Sequence, residues 1–243
     1  MDSRRHALLG AAALGLAAAT GIGAWQDRRA LPETRPIPSA PGFRRLASGA
    51  PASAADLLTL GLDAEGSGSG GPSPLPPDAL CGALFRAVGP GTPVAVFTDY
   101  RCPTCPALSS RLRGLGGPAL AITWHEWPIL GAPSRFAARV ALAAGLQGRH
   151  AEMHDHLMRR GLRPSAAGAR AAADVLGLDA DRLVADMGAP AVAARLESTA
   201  RLAATFGFRG TPALVVGGIA LEGLPAATLL RRLARRGGGP CTA

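Results

Sequence analysis

Hydrophobic positions fall into three regimes along the chain. The first is an alanine-, glycine- and leucine-rich run ending near Trp25, followed from 26 to 77 by a stretch dominated by Pro, Ala, Gly and Ser. Within that stretch only 54–62 hints at a short helix. In the second regime the apolar residues come in short blocks. Residues 79–88 have helical spacing, 94–97 are an unbroken run, Ala107, Leu108 and Leu112 are helical again, and 119–127 are mostly apolar. An unbroken β-branched and aromatic run suits a strand covered on both faces, so 94–97 and 119–127 predict buried strands. From Ser134 the period is 3.6, predicting helices over 134–146, 151–160, 166–176, 179–187 and 191–206. Residues 212–216 and 219–221, parted by Gly217-Gly218, read as a hairpin, and 224–235 as a closing helix. Asp78 and Ser134 are the expected N-caps of their helices.

Composition changes this picture at the ends. The chain has 243 residues, enough for one globular domain with appendages, and only 4% of them are aromatic. All 26 basic residues are arginine, a bias that discounts the net charge of +9. No aromatic stacking platform or basic recognition stripe accompanies the arginines, so nucleic acid is not an expected partner. Residues 1–25 combine Arg4 and Arg5 with an apolar segment, as an export signal does, and Ala17-Ala-Ala19 suits cleavage. Ser3-Arg4-Arg5 resembles a twin-arginine signal, with Ala7 where phenylalanine is usual. The alternative is an uncleaved membrane anchor, and Arg28 and Arg29 leave its orientation open. Either way the folded part is expected outside the cytoplasm, where disulfide chemistry is available. The whole of 26–77 is expected to be a low-complexity linker between the two, with its 66–77 Gly/Ser-then-Pro run a flexible tether.

Candidate chemistry concentrates where the first strand meets the next helix. Cys102 and Cys105 bracket Pro103 and Thr104, directly after the 94–97 strand. With Cys102 as the N-cap and Pro103 as the first helical residue, the Cys102 sulfur would face free N–H groups and the positive helix end. Both favour thiolate, lowering its pKa below the usual ~8.5. Cys105, half a turn further in, is the expected sheltered partner. An accessible thiolate beside a buried thiol is what dithiol exchange requires. Zinc would need a second ligand pair at matching spacing, which the sequence lacks. His150, His154 and His156 sit close together, but without a carboxylate-rich setting they read as core or surface histidines.

Four motifs in order carry a family resemblance: Phe97-Thr-Asp-Tyr-Arg-Cys-Pro-Thr-Cys105, Glu126-Trp-Pro-Ile-Leu-Gly131, Met153-His-Asp-His-Leu157 and Gly210-Thr-Pro-Ala-Leu-Val-Val216. Together they resemble the DsbA-like thiol–disulfide oxidoreductases, over about 78–236. The resemblance implies an α/β thioredoxin fold with an all-helical domain inserted at about 132–208, and a C-terminal tail at 237–243. It implies Cys102 as nucleophile, Cys105 as resolving partner, and Pro212 as a cis-proline facing them, with the Thr211 backbone able to pair with an extended substrate. Many members carry an acid six residues before the nucleophile, where this chain has Val96. Asp99 is nearer but is not that position. Glu126, on the face of the second strand shared with Ile122 and Trp124, is the candidate replacement. A carboxylate buried there is expected to have a raised pKa and to relay protons for Cys105.

Cys81 and Cys241 remain. In an oxidising compartment they are candidates for a structural disulfide pinning the tail to the first helix, with free thiols or an intermolecular bridge as alternatives. The expected activity is that of a periplasmic enzyme introducing disulfides into exported polypeptides, with no metal or organic cofactor. By resemblance, a DsbB-like membrane protein would re-oxidise it. A reductase or isomerase supplied by a DsbD-like partner is the alternative, and a non-catalytic peptide-binding domain the alternative of another class.

Overall fold

The computed structural model describes residues 32–46, 72–86, 91–115 and 120–241. The expected signal or anchor, the 54–62 helix and the 66–71 run lie outside the described residues. The sheet is built on β3 (Thr92–Thr98), which pairs in parallel with β4 (Leu120–Glu126) and antiparallel with β5 (Ala213–Val216). Val94 through Phe97 are fully buried, as the unbroken apolar run requires. A parallel pair needs a crossover, and α2 (Cys105–Gly114) provides it. The hairpin partner β6 (Ile219–Glu222) lies beyond β5, with Val216 paired to Ile219 across the Gly217-Gly218 turn.

Part of the expected tether is instead sheet. β1 (Thr34–Pro36) and β2 (Arg44–Leu46) extend it to the order β1-β2-β6-β5-β3-β4, with β2 parallel to β6. Ile37, Ala40 and Phe43 between them are buried in the main core, and Phe43 packs edge-on against Phe206 at 5.1 Å between centroids. Composition hid them because isolated apolar residues among prolines and arginines show no period. They become core only against Phe206 and Phe208, far along the chain.

Helix α1 (Pro77–Leu84) precedes β3, and α8 (Ala227–Arg236) closes the domain. Between β4 and β5 lie five helices: α3 (Ala132–Leu146), α4 (His150–Arg160), α5 (Ala166–Val175), α6 (Ala180–Asp186) and α7 (Pro190–Phe206). The insert has its own core, in which Met153, Leu157 and Leu183 pack against the alanines of α3 and α5. Ser165 and Asp179 cap α5 and α6, accepting from Gly168 N and Arg182 N. Two other expected caps are displaced. Pro76 precedes α1, placing Asp78 in its first turn. Gly131, with φ 96°, precedes α3, and Pro133 sets that helix's start, so Ser134 is interior and buried.

The tail is packed. Cys81 and Cys241 form a disulfide. The preceding residues cross the β5–β6 turn so closely that a Cβ on Gly217 would lie 2.3 Å from the Gly238 carbonyl oxygen. On the β2 side, a Cβ on Gly42 would lie 2.8 Å from Pro240 Cβ.

Candidate active site

The site begins where β3 ends. Asp99 is buried, yet both carboxylate oxygens are used: Oδ1 accepts from Arg101 N at 2.8 Å and Oδ2 from Leu130 N at 2.9 Å. Its carbonyl oxygen accepts from Cys102 N at 3.1 Å. This aspartate therefore fixes the turn carrying Cys102 and ties it to the loop after β4. The same turn overrides the expected cap. Thr104, not Cys102, precedes the helix, Cys105 is its first residue, and Pro106 its second, so Pro103 lies outside it.

Cys102 and Cys105 are both free thiols. Cys102 is only 3% exposed, less accessible than expected, and Cys105 is fully buried. What separates them is proton affinity. The Cys102 pKa falls to about 5, chiefly through its hydrogen bond with Cys105. Burial opposes the shift, and the Thr104 side chain, the Thr211 side chain and the Thr104 backbone assist it. Cys105 is pushed far up, because it holds the proton shared with Cys102 and is itself desolvated. The thiolate preference assigned to the helix end thus comes mainly from the partner thiol. Met158 of α4 and Tyr100 pack over the pair.

The opposite wall comes from the far end of the chain. The Thr211–Pro212 bond is cis, and the Cys102 sulfur lies 3.3 Å from the Thr211 carbonyl oxygen, to which it can donate only while protonated. Thr104 Oγ1 is 3.5 Å from the same sulfur. Pro212 O accepts from Gly223 N at 2.8 Å, anchoring the bend to the end of the hairpin.

Glu126 departs from expectation. It is buried, with Oε1 accepting from Tyr100 Oη at 2.8 Å and lying 3.0 Å from His150 Nε2 and 3.5 Å from His154 Nδ1. Burial raises its pKa, but the hydrogen bonds with His150 and His154 outweigh it and bring the value down to about 2. A carboxylate held so firmly ionised is a poor proton acceptor at neutral pH, so the raised pKa expected for a relay is not met. The sequence reading missed its partners because α4 brings the histidines from about a helix-length away. His154 continues the network to α2, with Nε2 3.1 Å from Ser109 Oγ, and stacks on Trp124 at 4.0 Å. Together these bonds latch the helical insert onto the sheet beside the cysteines. His156 stays outside this cluster and is partly exposed. Among the described residues, no group of three or more His, Cys, Asp or Glu is arranged to hold a metal ion.

A family model described as the DSBA-like thioredoxin domain matches residues 93–234. Among solved structures, the chain is similar to a thioredoxin-like oxidoreductase from Silicibacter pomeroyi DSS-3. Identity is 34% and the TM-score 0.60, over 67% of this chain and 97% of that one. The thiol-disulfide exchange protein alpha-DsbA2 from Wolbachia pipientis aligns at 22% identity and a TM-score of 0.56, covering 60% of this chain and 81% of its own. The catalytic domain of Proteus mirabilis ScsC aligns at 22% identity and a TM-score of 0.55, covering 65% and 96%. At 22% identity the likeness speaks for the fold. Comparison with curated proteins finds no match.

Proposed function

Because the chain belongs to the DSBA-like thioredoxin domain family, whose members are thiol–disulfide oxidoreductases, we propose that it introduces disulfides into exported polypeptides through Cys102 and Cys105. The observation that supports this direction is the low proton affinity of Cys102, whose sulfur is hydrogen-bonded with Cys105 and lies 3.5 Å from Thr104 Oγ1. A thiolate stabilised at about pH 5 is a good leaving group, and stabilising the reduced enzyme makes its disulfide a stronger oxidant.

The exchange runs in two displacements. Starting from the Cys102–Cys105 disulfide, a substrate thiolate attacks Cys102 Sγ, forming a mixed disulfide and releasing Cys105 as the leaving thiolate, which takes up a proton. A second substrate thiolate attacks the substrate sulfur of that mixed disulfide and expels Cys102 as thiolate. The substrate gives up two electrons and becomes bridged, and the enzyme is left as a dithiol. The Thr211 backbone, beside Cys102, would align an extended substrate strand against the sulfur. Family members work through this redox-active disulfide without an external cofactor. A DsbB-like membrane partner would accept the electrons. The export signal read over 1–25 favours the periplasm, and no helix among the described residues is long and apolar enough to cross a membrane.

Equilibrating the Cys102–Cys105 couple with glutathione tests the direction. A potential toward about −120 mV is expected, and one near about −270 mV would replace this reading with a reductase fed by a DsbD-like partner.

A further inference from the structure

The loop carrying Thr211 is short of backbone partners. It leaves α7 at Gly207, in the left-handed region with φ 59°, and runs through Phe208, Arg209 and Gly210 before the bend. Glu222, the last residue of β6, is paired across the hairpin with Ala213, just past that bend. Its Oε1 accepts from Arg209 N at 2.7 Å and Gly210 N at 3.3 Å. Its Oε2 accepts from Arg45 Nη1 at 3.1 Å. Arg45 in turn donates through Nη2 to the Phe206 carbonyl at the end of α7, and its guanidinium lies 5.7 Å above the Phe208 ring. One side chain therefore holds the start of the loop, and its carboxylate partner holds the two amides leading into Thr211.

We infer that Glu222, braced by Arg45, is a positioning residue that sets where the 209–211 loop presents Thr211 to Cys102. The inference rests on the reading of Cys102 and Thr211 as the exchange site. Three features point this way. Hydrogen bonds to an ionised acceptor are shorter and stronger than neutral ones, so the carboxylate restrains the two amides more firmly than water would. Those amides are one and two residues from Thr211, whose carbonyl lies 3.3 Å from the sulfur, so a slack loop moves that contact directly. Finally, Arg45 belongs to β2, outside the 93–234 family match. The added N-terminal strand is thereby tied to the exchange site and not merely laid on the sheet edge. The partly exposed ion pair alone would contribute little. The backbone donors are what make the arrangement directional.

The test uses the full chain with Glu222→Ala, Glu222→Gln and Arg45→Ala. Three quantities are read for each: the rate of mixed-disulfide formation with a cysteine-containing peptide, the Cys102 thiolate absorbance against pH, and the melting temperature. Glu222→Ala is expected to slow exchange about tenfold, equivalent to a ~1.4 kcal/mol higher barrier. Its Cys102 titration should shift away from the wild-type midpoint. Glu222→Gln keeps an acceptor oxygen for the two amides and should recover most of the rate, and Arg45→Ala should fall between. Wild-type rate and midpoint in Glu222→Ala would overturn the inference. So would a lower melting temperature with both unchanged, which is the mark of a merely structural role. Should Glu222→Ala not fold, a wild-type rate and midpoint in Arg45→Ala overturn it equally. An unmutated chain that forms no mixed disulfide would instead remove the exchange reading itself.

Discussion

The two walls of the proposed exchange site are built by opposite means. The cysteine wall is local: Asp99 and Cys102 through Cys105 are neighbours in sequence, and Asp99 organises the turn with its own carboxylate and carbonyl. The Thr211 wall is assembled from distance. Its loop is held by Glu222 from the hairpin and Arg45 from the N-terminal strand, and the tail tied by Cys81–Cys241 packs against the same hairpin turn. Local geometry can place a nucleophile, but the surface that aligns a partner against it depends on tertiary support. The second wall is accordingly the one that long-range changes should disturb.

The largest effect should come from the first wall. Cys102→Ser leaves no attacking or leaving sulfur, so peptide adducts should vanish from non-reducing gels, whereas Cys105→Ser should accumulate them because the resolving thiol is gone. Next comes the foundation of the second wall. Cys81→Ser opens a loop with a sequence separation of 160 and should cost about 2–4 kcal/mol in denaturant unfolding. The Cys102 titration should barely move, since no bond of that disulfide reaches the sulfur. If it moves as far as in Glu222→Ala, the tail supports the Thr211 loop as strongly as Glu222 does. Asp99→Ala strips the acceptor from two backbone donors and should cost about 1.5–3 kcal/mol, with exchange slowed because Cys102 loses its fixed turn. The smallest changes should be in Thr104→Val and Thr211→Val. Each removes a side-chain contribution to the thiolate, so both should raise the Cys102 midpoint, Thr104→Val more than Thr211→Val.

The pH dependence sharpens the same contrast. The Cys102 pKa falls from 9.0 to about 5 on folding, so the unfolded reduced chain binds a proton that the folded one releases. The resulting stability of the reduced form is complete above about pH 9, shrinks as pH falls, and is lost below about 5. The oxidised form has no such thiol. The difference in unfolding free energy between the two forms should therefore grow from pH 5 to 9, and a flat difference would contradict the assigned thiolate. Glu126 acts elsewhere on the scale. Its pKa, lowered from 4.5 to about 2, protects both forms above about 4.5 and fails them as pH drops toward 2.

Much of the fold was legible in the sequence because hydrophobic period records which faces are buried. The unbroken 94–97 run marked β3, the 3.6 period marked the insert, and the Gly-Gly pair between β-branched residues marked the β5–β6 turn. The cysteine pair stands out because its members are neighbours and their spacing is itself the motif. What escaped were arrangements that no local pattern encodes. Phe43 and Arg45 sit in a Pro- and Arg-rich stretch whose composition suggests a tether, and only Phe206, Phe208 and Glu222 make them core and clamp. Glu126 reads alone as a buried acid with raised pKa, until α4 brings His150 and His154 against it and reverses the sign. Sequence by itself thus determined the family, the order of elements from α1 onward and the spacing that keeps the two sulfurs together. The tertiary structure decided the protonation of the buried acid and the placing of Thr211, because both depend on charges and donors that meet only when distant segments pack.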